Sequence, residues 1–180
     1  MNLVKLLKQM SKIDYEQLAK EFSLPVKGIE KVVKVESGGK GFGEDGKIII
    51  QFEPSWFKRK SPYTPSGKWS LNKVEKQTAE WIAFNDAFLK DANAAMESTS
   101  IGQMQVMGFH WKLLGFKSVG EMWDFAKVSE ENQIRLGLEF IKSDPKMYKA
   151  LKFSDWDTFA YYYNGEQYKK FNYANRLREA

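Results

Sequence analysis

Apolar residues recur at helical spacing along most of the chain and predict a mainly helical protein. In each of these segments they lie three or four positions apart, so they share one face of a helix. Several segments begin with Ser or Asp followed three positions later by an acidic or amide residue, a pattern typical of helix N-termini. The predicted helices cover residues 3–10, 14–22, 25–36, 72–91, 118–127, 130–142, 145–151, 154–163 and 171–178.

One segment alternates instead and predicts a small β-hairpin. Residues 41–43 and 47–53 flank an Asp-Gly pair, and Asp-Gly between two extended segments is a strong turn signal. Apolar and polar positions alternate within residues 47–53, which places Gln51 and Glu53 on the same face of the strand. Pro54 is expected to end the strand.

Two further segments lack a regular apolar pattern. Residues 58–69 are rich in Pro, Ser and Gly and predict a loop, while residues 92–108 carry small and polar side chains. No repeat or low-complexity segment interrupts the chain. The predicted fold class is therefore mainly α with a small β-hairpin (α+β), in a single domain that spans residues 1–180.

A carboxylate interrupts the apolar stripe of the helix predicted over residues 25–36. Val26, Ile29, Val33 and Glu36 are spaced 3, 4 and 3 residues apart, and Ser37-Gly38-Gly39 ends the helix at once. Burial and the negative end of the helix dipole both disfavour the charged form, so we expect a raised pKa for Glu36. A raised carboxyl pKa suits a general acid near neutral pH. The alternative is a helix-end glutamate in a structural hydrogen bond.

Composition excludes several kinds of site. The chain has no Cys and one His, which rules out thiolate or His-rich metal sites, so neither metal nor cofactor is expected. A Ser-His-Asp arrangement would have to use His110, but no serine stands on a recognisable nucleophile turn. Aromatic residues make up 15% of the chain, enough to line a cleft as well as a core.

The net charge of the chain indicates which classes of molecule it can bind. The net charge of +5 and the pI near 9.2 favour polyanions such as nucleic acids, anionic membranes or bacterial walls. Basic residues alternate with acidic ones, so nucleic acid is not an expected partner. No stretch of about 20 apolar residues is present, and stable membrane association is not expected. Residues 1–10 lack the apolar core of a signal peptide, which predicts a cytoplasmic protein.

Four sequence blocks, in this order, resemble the N-acetylmuramidase domain of bacteriophage endolysins in the lysozyme superfamily. The blocks are Val35-Glu36-Ser37-Gly38-Gly39-Lys40-Gly41-Phe42, Ile49-Ile50-Gln51-Phe52-Glu53, the segment from Ser100 to Gly108, and Trp156 through Tyr163-Asn164-Gly165. The resemblance implies a lysozyme-like fold and cleavage of the β-1,4 bond between N-acetylmuramic acid and N-acetylglucosamine in peptidoglycan. It implies Glu36 as general acid and Glu53 as a second carboxylate, which could orient a water or stabilise positive charge on the sugar.

The resemblance also implies substrate-binding residues. The Ser100–Gly108 segment is similar to the Gly-x-Met-Gln segment of goose-type lysozymes and lytic transglycosylases, which implies Ser100, Gln103 and Gln105 as sugar contacts. Tyr163 and Asn164 match a Tyr-Asn-Gly motif whose tyrosine hydroxyl approaches the catalytic glutamate. Ordinary core packing and a helix stop are the alternatives for these two segments.

Two other functions stay open. A lytic transglycosylase would use Glu36 alone and give an anhydro product, and a non-catalytic peptidoglycan-binding protein would not need the acid. On the resemblance we expect a monomer whose partner is bacterial peptidoglycan, with no separate wall-binding domain in residues 1–180. We also expect the protein to stay in the host bacterial cytoplasm until it is released to the wall.

Overall fold

A computed structural model describes residues 13–64 and 76–180 and shows, within them, ten α-helices around a small sheet. The predicted helix over residues 3–10 and the first residues of the one predicted over 72–91 lie outside the described residues. The helices are α1 (Tyr15–Phe22), α2 (Val26–Ser37), α3 (Pro54–Lys60), α4 (Gln77–Lys90), α5 (Ala92–Glu97), α6 (Val119–Val128), α7 (Glu130–Ser143), α8 (Pro145–Lys152), α9 (Trp156–Asn164) and α10 (Tyr173–Glu179). The mainly α class with a small β component is confirmed.

Local helix signals account for most of these boundaries. The side chains of Asp14, Ser118 and Ser129 accept hydrogen bonds from backbone N–H groups three residues later, as N-caps do. Asp144 and Asp155 cap α8 and α9 in the same way. Helix α2 lies in the middle of the core, because its apolar face is fully buried by the surrounding helices.

The sheet differs from the predicted hairpin. Strands β1 (Ile50–Phe52), β2 (Thr99–Ile101) and β3 (Val106–Met107) are antiparallel in the order β1-β2-β3. The Asp-Gly turn forms, but its two arms meet at a single bridge between Phe42 and Ile48. The main partner of β1 is β2, which comes from a part of the sequence that shows no strand pattern.

Helix α4 covers the other edge of β1 with two side chains. The Gln77 amide accepts from the Ile50 N–H at 3.0 Å and donates to the Ile50 carbonyl at 2.8 Å. The buried Glu80 carboxylate accepts from the Phe52 N–H at 2.8 Å. An uncovered strand edge would offer these groups to another chain, so the two side chains both fix and protect β1.

Two segments are more helical than the sequence predicts. Pro54 was expected to end a strand, and it does, but it also occupies the first turn of α3, where its missing N–H costs nothing. The loop expected from residue 58 therefore begins only after Lys60. The small residues after Asp91 form α5, because Asp91 caps it by accepting from the Ala94 N–H.

Gly108 follows β3 at a point where the backbone passes directly against α5. A Cβ added at Gly108 would lie 2.0 Å from the Met96 carbonyl oxygen, and no side-chain rotation can relieve an overlap with backbone. We therefore expect Gly108→Ala to lower the free energy of unfolding by about 3 kcal/mol, measured by urea denaturation.

Gly120→Ala is the matched control. The nearest atom to a Cβ at Gly120 is the Ser118 Oγ at 3.7 Å, an ordinary contact. Alanine is the better helix former, so this variant should be as stable as the parent or slightly more so. Equal denaturation midpoints for the two variants would contradict the packing assigned to Gly108.

None of the helices in the described residues is long and apolar enough to cross a membrane.

Candidate active site

Glu36 lies in the last turn of α2, where the chain turns sharply away. Gly38 follows the helix with a φ of 63°, and its N–H donates to the Lys34 carbonyl at 3.0 Å. Glycine adopts this left-handed conformation without the strain that a Cβ brings. The carboxyl group of Glu36 therefore stands at the margin between the core and an open cleft.

Burial controls the ionisation of Glu36. Loss of solvent raises the pKa of its carboxyl from 4.5 to about 7, as the sequence predicts. Two groups act in the opposite direction and lower this pKa: the hydroxyl of Tyr173, which donates to Oε1, and the positive charge of Arg176. Glu36 is therefore a carboxyl that exists largely in its acid form below neutral pH.

Glu53 lines the same cleft, which has a volume of about 570 Å³. Its Oε1 accepts from the Gln51 Nε2 at 2.7 Å, so the two side chains share a face as the alternation predicts. Its backbone N–H donates to the Ser98 carbonyl at 2.8 Å, which anchors the residue between β1 and α3. Glu36 thus reaches the cleft from a helix, and Glu53 reaches it from the end of the sheet.

The three residues expected from the Ser100–Gly108 segment occupy different places. Ser100 and Gln105 line the cleft and bond to each other, with the Ser100 hydroxyl 2.8 Å from the Gln105 Oε1. Gln103 is fully buried away from the cleft, where its amide donates to the Gly39 carbonyl at 3.0 Å. Gln103 therefore fixes the glycine turn behind Glu36 rather than facing the cleft.

Tyr163 and Asn164 both line the cleft at the end of α9. The Tyr163 hydroxyl donates to the Met104 carbonyl at 2.7 Å, and burial and the nearby Glu36 carboxylate both raise the pKa of this phenol. The tyrosine that bonds to Glu36 is instead Tyr173, from α10. Asn164 is exposed, which leaves its side chain accessible from the cleft.

A sequence model of the N-acetylmuramidase family matches residues 25–180, a span that includes both carboxylates and all five candidate binding residues. The chain belongs to the N-acetylmuramidase family. A crystal structure of an endolysin from Burkholderia phage AP3 is similar, with a TM-score of 0.80 and 31% identity over 92% of this chain. The chain spans 66% of the length of that endolysin. A search of curated proteins finds no match.

Tyr173 is a site residue that the sequence analysis of this family member missed. It lies 137 positions from Glu36 and begins α10, which the sequence predicts over residues 171–178. A polar side chain at the start of a short C-terminal helix gives no local sign of its partner. An alignment or a three-dimensional structure is needed to find such a contact.

Glu80 and Gln77 are also missed cleft residues of this muramidase-family chain. Both line the cleft and hold β1, and Glu80 is 3% exposed. The sequence predicts a helix there, but its pattern does not mark either side chain as part of a site. A third carboxylate therefore stands in the wall of the cleft, with its Oε2 engaged by the β1 backbone.

His110 borders the cleft, packed between aromatic rings. Its ring centroid lies 4.4 Å from that of Phe109 and 4.6 Å from that of Phe140, and burial lowers its pKa.

The described residues show no cluster of three or more acidic, His or Cys side chains that could hold a metal ion.

Proposed function

We propose that this member of the N-acetylmuramidase family is a peptidoglycan hydrolase. Within that proposal it cleaves the β-1,4 bond between N-acetylmuramic acid and N-acetylglucosamine, with Glu36 as general acid. The similarity to a phage endolysin supports a further part of the proposal, in which the enzyme is made in the host cytoplasm and acts on the wall after release.

One observation carries the proposal: Glu36 has a pKa of about 7 and shares a cleft with a second carboxylate, Glu53. Glycosidases use two carboxyl groups that flank the bond to be cleaved, one as acid and the other as base or nucleophile. Different environments for two carboxyls allow the two roles at one pH.

In the proposed reaction the protonated Glu36 gives its proton to the glycosidic oxygen as the C1–O bond breaks. The leaving sugar departs as an alcohol, and Glu36 becomes a carboxylate. The oxygen of a water then bonds to C1, and the proton that this water loses passes to Glu53 or returns to the newly ionised Glu36. Glu53 orients the attacking water or stabilises the positive charge that develops on the sugar ring. Ser100, Gln105 and Asn164 lie along the cleft, where they can contact hydroxyl or N-acetyl groups of the glycan.

The test is mass spectrometry of soluble fragments after purified peptidoglycan is digested with the protein. Reducing N-acetylmuramic acid ends are the expected result. Reducing N-acetylglucosamine ends would contradict the bond assignment, and anhydro-muramyl ends would indicate a lytic transglycosylase that uses Glu36 alone. Absence of any fragments with a folded sample would indicate a binding protein.

The activity should fall as the pH rises through about 7, because Glu36 donates a proton only in its acid form. We expect kcat/KM to decrease about tenfold for each pH unit above this value. The measurement is release of soluble fragments from peptidoglycan at constant ionic strength. A kcat/KM that stays constant from about pH 6 to 9 would exclude a single acid of this kind.

A further inference from the structure

Helix α10 is fixed against the end of α2 that carries Glu36. The Lys31 ammonium donates to the Leu177 carbonyl at 3.0 Å and to the Arg178 carbonyl at 2.9 Å, which caps the last turn of α10. In return, the Arg176 guanidinium donates to the Val35 carbonyl at 2.7 Å. These bonds set the position of α10 relative to the residue next to Glu36.

Two tyrosines with nearly parallel rings lie beside the acid, and their hydroxyls have different partners. The ring centroids of Tyr163 and Tyr173 are 6.4 Å apart, with 10° between the ring planes. The Tyr163 hydroxyl donates to the Met104 carbonyl, whereas the Tyr173 hydroxyl donates to Glu36 Oε1. Tyr173 is 5% exposed, so water does not replace this bond easily.

A second polar group reaches Tyr173 from the cleft. Burial and the Glu36 charge raise the pKa of the Tyr173 phenol, and the Asn164 side chain has a smaller effect in the opposite direction. A phenol hydroxyl has one proton to donate, and here that proton points to Glu36. The Tyr173 hydroxyl therefore stands between Asn164 at the cleft rim and the acid, and it donates its proton to the acid.

We infer that Tyr173 is a positioning residue for the general acid, an inference that rests on the proposed function of Glu36. Because Oε1 accepts the phenol proton, the acid proton of Glu36 resides on Oε2. After transfer to the glycosidic oxygen, the Tyr173 hydroxyl stabilises the new carboxylate on Glu36. This interaction is stronger when Glu36 is charged, so it lowers the barrier more than it strengthens substrate binding.

The groups that act on the charge of Glu36 come from several elements. Those facing it from the adjacent helices are Tyr163 of α9 and Tyr173 and Arg176 of α10, and those that share its cleft are Glu53, Glu80 and His110. Tyr173 and Arg176 lower the pKa of Glu36, against the larger effect of burial. Loss of the Tyr173 hydroxyl should therefore raise that pKa.

Tyr173→Phe tests the inference, because it keeps the ring and removes the hydroxyl. We expect kcat at the optimum to fall about tenfold with KM little changed, and the alkaline limb of the pH profile to move up by about one unit. A purely structural role would lower stability without moving this limb. Should Tyr173→Phe fail to fold, Asn164→Ala removes the other polar group that acts on the Tyr173 hydroxyl and should move the limb in the same direction by less.

Tyr163→Phe is the matched control. It removes a hydroxyl from the same pair of rings, but that hydroxyl bonds to the Met104 carbonyl, so the alkaline limb should stay in place. An unmoved limb in a folded Tyr173→Phe protein would overturn the inference. An equal shift in both variants would also overturn it, because the effect would then belong to the aromatic pair.

A carboxyl NMR titration separates this inference from the proposed function. With ¹³C-labelled glutamate, the Glu36 signal should titrate at higher pH in Tyr173→Phe than in the parent, whether or not the protein cleaves peptidoglycan. If the parent protein does not cleave peptidoglycan, the proposed function is refuted, and the titration still tests the contact between Tyr173 and Glu36. If the parent cleaves peptidoglycan but Glu36 titrates at the same pH in Tyr173→Phe, only the positioning role of Tyr173 is refuted.

Discussion

A protein that carries Glu36→Gln is expected to fold and to release no soluble fragments from purified peptidoglycan. Glutamine has nearly the same shape, and its Oε1 can still accept from the Tyr173 hydroxyl, but it has no acidic proton to give. General acid catalysis contributes about 10²–10⁴-fold to such reactions, so we expect kcat to fall by about 10³-fold or more. Mass spectrometry of the released fragments measures the activity, and circular dichroism shows whether the variant is folded.

Glu30→Gln is the control for this experiment. Glu30 is an exposed glutamate on the same helix, so this variant makes the same carboxyl-to-amide change on α2 without touching the cleft. Its activity should equal that of the parent. Wild-type rates in a folded Glu36→Gln protein would remove Glu36 from the mechanism.

The same substitution should alter how stability depends on pH. The pKa of Glu36 is about 7 in the folded protein and near 4.5 in the unfolded chain, so the folded state binds more protons between these values. The parent therefore loses stability as the pH rises through this range, by up to about 3 kcal/mol. Glu36→Gln has no such loss, so its stability relative to the parent should increase towards alkaline pH. Parallel stability curves for the two proteins would contradict the raised pKa.

The features of Glu36 that the sequence could predict are local ones. An apolar stripe that ends in a carboxylate, followed directly by Ser37 and two glycines, indicates a helix terminus, and a helix terminus in the core indicates burial. The structure confirms the helix end, the left-handed Gly38 and the raised pKa. Each of these depends on residues within a few positions of Glu36.

The features that the sequence could not predict depend on distant contacts. Strands β2 and β3 have three and two residues, too short for an alternating pattern, and they form because β2 pairs with β1 and β3 pairs with β2. Tyr173 reaches Glu36 from α10, which the bonds of Lys31 and Arg176 fix against α2. Gln103 looks like a sugar ligand in a family motif, yet its amide holds the backbone at Gly39. The fold thus determines which polar side chains of a motif line the cleft and which hold the backbone in place.

Glu53→Gln should lower kcat by about 10²-fold or more while KM stays near that of the parent. The amide is nearly isosteric with the carboxylate, and its Oε1 can keep the hydrogen bond from Gln51, so the end of the sheet should retain its shape. What is lost is the negative charge that orients a water or stabilises the cationic sugar. Steady-state kinetics on a soluble peptidoglycan fragment measures both constants.

Two further variants locate the effect at the Glu53 carboxylate. Glu44→Gln removes an exposed carboxylate from the turn before β1 and should leave kcat unchanged. Gln51→Leu keeps the charge but removes the donor that holds Glu53, so its kcat should fall by less than that of Glu53→Gln. Unchanged turnover in Glu53→Gln would mean that Glu36 acts alone, and anhydro-muramyl ends among the products would then assign the reaction to transglycosylation. A large loss together with reducing muramic acid ends would instead assign Glu53 a role in hydrolysis, either in orienting the water or in stabilising the positive charge on the sugar.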